Sequence, residues 1–105
     1  MQSDTFSLLE PMLFLLNVKS LVRIKANLVT KKDIVYEYGM HSDQTFDCSA
    51  AVFYLNTNNG HTNIGGEKIA SIENRLIKFN ALTEHSGSSS TDSQIRVVLN
   101  INYFE

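Results

Sequence analysis

What most constrains the fold of this chain is the spacing of its apolar residues after Lys19. From there onward they alternate with polar residues or form short runs cut by turn signals, a strand pattern and not a helical one. Leu21–Val29 alternates, with Leu21, Arg23 and Lys25 on one side and Val22, Ile24 and Ala26 on the other. Ile34–His41 reads as a second strand. Ser49–Asn56 is a nearly continuous apolar run, as expected of a strand buried on both faces. Asn58-Asn59-Gly60 is a turn signal, a short strand over His61–Ile64 should follow, and Gly65-Gly66 is a second turn. Leu76–Leu82 and Ile95–Phe104 read as the last two long strands, with Ser86–Ser93 between them as a polar, solvated connector.

One helix is expected, over residues 6–18, capped by Asp4 or Thr5 and interrupted by Pro11. Many short strands with punctuating turns argue for a sandwich or barrel and against a βαβ fold. The expectation is therefore a mainly β protein, a jelly roll with one N-terminal helix. At 105 residues and 43 % apolar, the chain has the length and composition of one folded domain, spanning 1–105.

Charge and cysteine usage exclude several function classes. The net charge is −2 with signs interspersed, so no nucleic-acid partner is expected. Lys31-Lys32 and the Arg23/Lys25 pair read as solvated surface. The single cysteine, Cys48, cannot form an intrachain disulfide, and its neighbour Asp47 would raise the thiol pKa. The apolar run Leu13–Val18 is too short to span a membrane and follows Asp4 and Glu10, so it does not read as a signal peptide. A soluble, cytoplasmic protein without membrane association is the default.

The chemistry-bearing residues are few. Of three histidines, His41 lies in Gly39-Met40-His41-Ser42-Asp43. Positions i and i+2 of a strand share a face, so His41 and Asp43 could bind one metal as adjacent ligands. His85, at the end of another expected strand, could complete two imidazoles and one carboxylate, with open positions opposite. By itself His-x-Asp is near chance: with three histidines and five aspartates in 105 residues it arises about one time in seven.

The surrounding residues add context. Tyr54-Leu55-Asn56, Asn59-Gly60-His61-Thr62, Asn74-Arg75-Leu76-Ile77-Lys78-Phe79, Glu84-His85-Ser86-Gly87 and Arg96–Phe104 occur in that order. From about Leu21 to Phe104 the chain resembles the prolyl 4-hydroxylase-like branch of the 2-oxoglutarate- and iron(II)-dependent oxygenases, above all the small phage and marine bacterial forms. The resemblance implies a double-stranded β-helix. It implies that His41, Asp43 and His85 are the catalytic iron(II) ligands and that Arg96 takes the far carboxylate of 2-oxoglutarate. It also implies that Tyr54 hydrogen-bonds that carboxylate, that ascorbate supports turnover, and that the substrate is a peptidyl residue, prolyl among them, or a small molecule. A bidentate, permanently charged guanidinium suits the carboxylate role.

Alternation extends the site: Val98, Asn100 and Asn102 share the face of Arg96, so Asn100, and with less weight Asn102, should look into the pocket. His61 follows a turn and is not expected to be a ligand. The chain is short for this family, with only about twenty residues before the first strand. A minimal or truncated oxygenase domain is one expectation, and a homodimer could then supply missing cover. Two alternatives stand beside the oxygenase: a cupin-like metal-binding jelly roll, and a non-catalytic phage or structural interaction module.

Overall fold

The computed structural model describes residues 16–105. The expected helix over 6–18 therefore lies largely outside the described residues. Its last positions form a turn with Asn17 at φ 58°, a left-handed conformation through which no helix runs.

Seven strands follow: β1 (Ser20–Thr30), β2 (Ser49–Tyr54), β3 (His61–Ile64), β4 (Glu67–Ala70), β5 (Leu76–Asn80), β6 (His85–Gly87) and β7 (Ile95–Phe104). They build a four-stranded sheet of order β1-β7-β2-β5 and a three-stranded sheet of order β4-β3-β6. All pairings are antiparallel. The arrangement is a jelly roll in which the ends of the chain's described part, β1 and β7, lie side by side.

The central strands explain their own sequences. In β2, Ala50, Ala51, Val52 and Tyr54 are all buried, which is why the run lacks polar alternation. On one face of the larger sheet Ala51, Ile101 and Tyr103 pack with Leu16, Val18, Ile24 and Leu76. On the other, between the sheets, Val52, Tyr54 and Val98 pack with Ile69, Ile77 and Phe79. Cys48, Ala50 and Ala81 continue that layer against Phe79. β7 thus alternates between an apolar core and an inner face carrying Arg96, Asn100 and Asn102.

Strand ends depart from expectation where side chains compete for the backbone. β5 stops at Asn80, whose Oδ1 accepts the amide of Leu82 at 2.8 Å. β2 stops at Tyr54, and Asn56 instead donates to the Ile95 carbonyl at 2.7 Å and accepts from the Val97 amide at 3.0 Å. The Gly65-Gly66 turn joins β3 to β4, both glycines having positive φ (57° and 97°) as a tight hairpin turn requires. β4 itself, Glu-Lys-Ile-Ala, carries little strand propensity and was not expected.

Two expectations need correction. Ile34–His41 is not a continuous strand. It runs beside β6 but keeps only two bridges, Glu37 with Ser88 and His41 with His85. Four residue steps from Glu37 to His41 face three from Ser88 to His85, so one residue is extra and the ladder is broken around Gly39. The Ser86–Ser93 stretch is not a solvated connector. Ser86, Ser88, Ser89 and Ser90 are fully buried. One hydroxyl stands in for ladder bonds: Ser89 Oγ accepts from the Tyr36 amide at 2.8 Å and donates to the Ile34 carbonyl at 2.9 Å, while Ser88 Oγ accepts from the His61 amide of β3 at 2.8 Å.

Candidate metal centre and anion pocket

The bridge that survives in the broken strand is the one that builds the site. His41 N donates to the His85 carbonyl at 2.9 Å, and His85 N donates back at 2.8 Å. The two imidazoles face each other with centroids 4.7 Å apart. Asp43, two residues on, is anchored through its amide to the Ala81 carbonyl at 3.1 Å. Its Oδ1 lies 3.0 Å from His85 Nε2 and 3.7 Å from His41 Nε2. One ligand atom from each residue falls within 4.8 Å of the others. Ligand atoms about 2.1 Å from a shared ion and at right angles are about 3 Å apart. His85 and Asp43 already have that separation, and exposed His41 needs only to swing inward.

The donor set fits a metal. His85 Nδ1 lies 2.9 Å from the Thr83 carbonyl, and His41 Nδ1 lies 3.3 Å from the Gly39 carbonyl. With Nδ1 of each ring turned to a carbonyl, both Nε2 atoms are turned toward Asp43 Oδ1, that of His85 at 3.0 Å and that of exposed His41 at 3.7 Å. Two imidazole nitrogens and a carboxylate oxygen so placed can share a cation, either a proton or a metal ion. Asp43 Oδ2 is held separately, accepting from Asn102 Nδ2 at 2.9 Å. Asn102 is in turn oriented by Gln44 Nε2, which donates to its Oδ1 at 3.1 Å.

Electrostatics match this geometry. Burial works against the His85 imidazolium, but the bond to Asp43 and the Thr83 carbonyl outweigh it, and the pKa lies above the ordinary histidine value. Burial likewise works against the Asp43 carboxylate, but His85 and Asn102 outweigh it and hold the pKa below the usual carboxylate value. Phe79 closes the back of the site, edge-on to His85 at 4.8 Å.

The same cavity, about 300 Å³, holds Arg96, Asn100 and Asn102 along β7. Arg96 is no surface cation: only 3 % of it is exposed. Its Nε donates to Ser71 Oγ at 3.1 Å, and its Nη2 donates to the His61 carbonyl and Thr62 Oγ1, each at 3.3 Å. Asp92 is engaged elsewhere, accepting the Asn59 amide at 2.9 Å. Among the described residues Arg96 meets no carboxylate within salt-bridge distance. Burial lowers its pKa. Gly60 and Gly87 leave it room, since a Cβ on Gly60 would stand 2.8 Å from Arg96 Cδ.

Tyr54 is placed differently from expectation. It lies beside Arg96, whose guanidinium carbon is 5.9 Å from its ring centre, but its hydroxyl donates to Thr62 Oγ1 at 2.6 Å. It stands behind Thr62 and does not line the cavity. His61 is apart from the cluster, paired with Glu37 Oε2 at 2.7 Å. The sequence reading missed Thr62 and Ser71 as holders of Arg96. Arg23 and Lys25 are exposed, as a surface reading expects, and they also line the cavity from β1. Their pairing opposite Asn102 and Asn100 would have shown this, had the β1–β7 register been known.

No protein-family model matches the chain, and no curated protein matches it in sequence. Solved structures do. A cupin protein from Bacteroides fragilis superposes with a TM-score of 0.62 at 18 % identity, over 77 % of this chain and 64 % of that one. The fold is that of a cupin. An RmlC-like cupin protein from Desulfovibrio desulfuricans superposes with a TM-score of 0.51 at 16 % identity, over 76 % of this chain and 82 % of that one. At such identities the likeness speaks to the cupin fold alone. The chain spans less than two thirds of the length of the Bacteroides cupin.

Proposed function

We propose that this cupin-type jelly roll is an iron(II)- and 2-oxoglutarate-dependent dioxygenase that hydroxylates a peptidyl or small-molecule substrate, releasing succinate and CO2. The observation that carries this reading is one cavity holding both the imidazole–carboxylate–imidazole cluster and a buried guanidinium that meets no carboxylate among the described residues. A buried cation without counter-charge costs several kcal/mol, and the carboxylate of a bound ligand would offset it. The ordered motifs of the sequence point the same way.

In this reading His41, Asp43 and His85 would hold the ion, two imidazoles and one carboxylate being the donor set that suits iron(II) oxygen chemistry. When bound, iron(II) supplies the oxygen activation and redox chemistry, with ascorbate keeping it reduced. The chain's residues orient these groups. Thr83 and Gly39 fix the imidazole tautomers, and Asn102 fixes Asp43. Arg96, held by Ser71 and Thr62, takes the far carboxylate of 2-oxoglutarate, and Asn100 lines the space between.

A second reading is favoured by the structural neighbours, which are cupin proteins. The same cluster would then hold zinc, manganese or nickel for hydrolysis or isomerisation, or merely bind metal. Incubation with Fe(II), ascorbate and 2-oxoglutarate separates the two. The oxygenase reading expects succinate, lost in Arg96→Ala and His85→Ala. A folded protein that binds divalent metal at the cluster yet makes no succinate and does not bind 2-oxoglutarate is a metal-binding cupin of the second kind.

A further inference from the structure

Arg23 and Lys25, both exposed, line the open side of the cavity from β1. They stand opposite Asn102 and Asn100 in the β1–β7 register, and directly paired residues of an antiparallel sheet share a face. Among the described residues neither cation has a carboxylate within salt-bridge distance. Among the described residues the only carboxylate lining the cavity is Asp43, already engaged by His85 and Asn102.

The charges then decide what the cavity wants. In the proposed enzyme a divalent ion, Asp43, Arg96 and a doubly charged co-substrate cancel one another. Arg23 and Lys25 are the excess. They lie toward the metal end, since Arg23 faces the residue that holds Asp43, while Arg96 lies six residues further back along β7. A cleft lined by one sign of charge concentrates ligands of the opposite sign.

We infer that the substrate carries an anionic group, a carboxylate or phosphate, which Arg23 and Lys25 receive beside the metal centre. This substrate class rests on the functional reading above. The group could belong to a free acid or to an acidic side chain of a peptide, and both present the same chemistry to the rim.

Calorimetry tests it without turnover. The zinc-loaded protein, saturated with 2-oxoglutarate, is titrated with N-acetylglutamate, O-phosphoserine and a short glutamate-containing peptide, each against the matching neutral amide or serine form. The acids should bind roughly ten-fold more tightly at low ionic strength, and high salt should erode the preference. Arg23→Gln/Lys25→Gln should abolish the preference while leaving zinc and 2-oxoglutarate affinity unchanged. Preference for the peptide over the free acid identifies the peptide as the source, and the reverse identifies the free acid. No preference for any acid, or a preference that survives in the double variant, overturns the inference. Failure of 2-oxoglutarate to bind overturns the dioxygenase reading alone; the rim is then judged by the same acid-over-amide preference in the zinc-loaded protein.

Discussion

Asn102 donates from Nδ2 to Asp43 Oδ2 at 2.9 Å, which turns the other carboxylate oxygen toward the two imidazoles. The two residues are far apart in sequence, and the contact ties the inner face of β7 to the loop after His41. Gln44 sets which end of the Asn102 amide faces Asp43.

Asn102→Ala should therefore loosen the metal site without removing a ligand. Loss of such an outer partner weakens metal binding by roughly ten- to hundred-fold. Zinc titration of the variant by calorimetry checks this, with Asp43→Ala, which should bind far more weakly still, as the reference. Wild-type zinc affinity in Asn102→Ala would show that Asp43 needs no such support.

The pH dependence of the metal-free and metal-bound protein should run in opposite directions. In the metal-free protein His85 has a folded pKa above its unfolded one. Its contribution to stability is in place below the ordinary histidine value and is lost as pH rises through the raised one. Asp43 has a folded pKa below its unfolded one, so its contribution is in place above the ordinary carboxylate value and is lost as pH falls through the depressed one. Both act together in mildly acid solution. Metal requires the proton on His85 to leave, so affinity weakens as pH falls through the raised His85 value. Thermal unfolding between about pH 6 and pH 8, spanning the histidine range, should show the chelated protein losing stability while the zinc-induced gain grows. His85→Gln should flatten both trends. A zinc-induced gain constant across the range in the wild-type protein would contradict the assignment.

Gly60 offers a test of Arg96 that touches no ligand. A Cβ there would stand 2.8 Å from Arg96 Cδ and 2.9 Å from its Nε, and 2.8 Å from Asn58 Oδ1. Asn58 Oδ1 already accepts the Gly60 amide at 2.9 Å, so it has little freedom to retreat. Gly60→Ala should push the guanidinium out of place and destabilise the fold by about 1–3 kcal/mol, as overpacking does. Binding of 2-oxoglutarate should fall with it, while zinc affinity stays close to wild type. Denaturant unfolding and two titrations read all three; intact 2-oxoglutarate binding would place that ligand away from Arg96.

Much of the β architecture was legible in the sequence because it rests on patterning. The apolar run of β2 and the alternation of β7 each follow from burial, and alternation placed Asn100 and Asn102 on the side of Arg96. The irregularity of the Ile34–His41 segment was not legible, because its first residues are held by the Ser89 hydroxyl of a distant loop in place of a regular ladder. Those serines look like a solvated linker in sequence, and only their bonds to the backbone of residues 34–36 and 61 show otherwise. Arg23 and Lys25 were hidden for a related reason. Alternation gives the two faces of β1 but not which face meets the cavity; the pairing with β7 decides that.

Tyr54 separates direct contact from support. The family resemblance assigns its hydroxyl to the ligand carboxylate, but in the structure that hydroxyl donates to Thr62 Oγ1, which also accepts from Arg96 Nη2. If the ligand contact were direct, Tyr54→Phe would cost a charge-assisted bond, about 1.5–3 kcal/mol or at least ten-fold in 2-oxoglutarate affinity. As support behind Thr62, the hydroxyl contributes one buried neutral bond, about 1 kcal/mol of stability. Tyr54→Phe should therefore lower the unfolding midpoint and change 2-oxoglutarate affinity only a few-fold. Thr62→Val should do more, because it removes acceptors from both Tyr54 and Arg96 in a buried position. A Tyr54→Phe protein of wild-type stability with severely weakened 2-oxoglutarate binding would restore the direct role and require the tyrosine to turn toward the cavity when ligand binds.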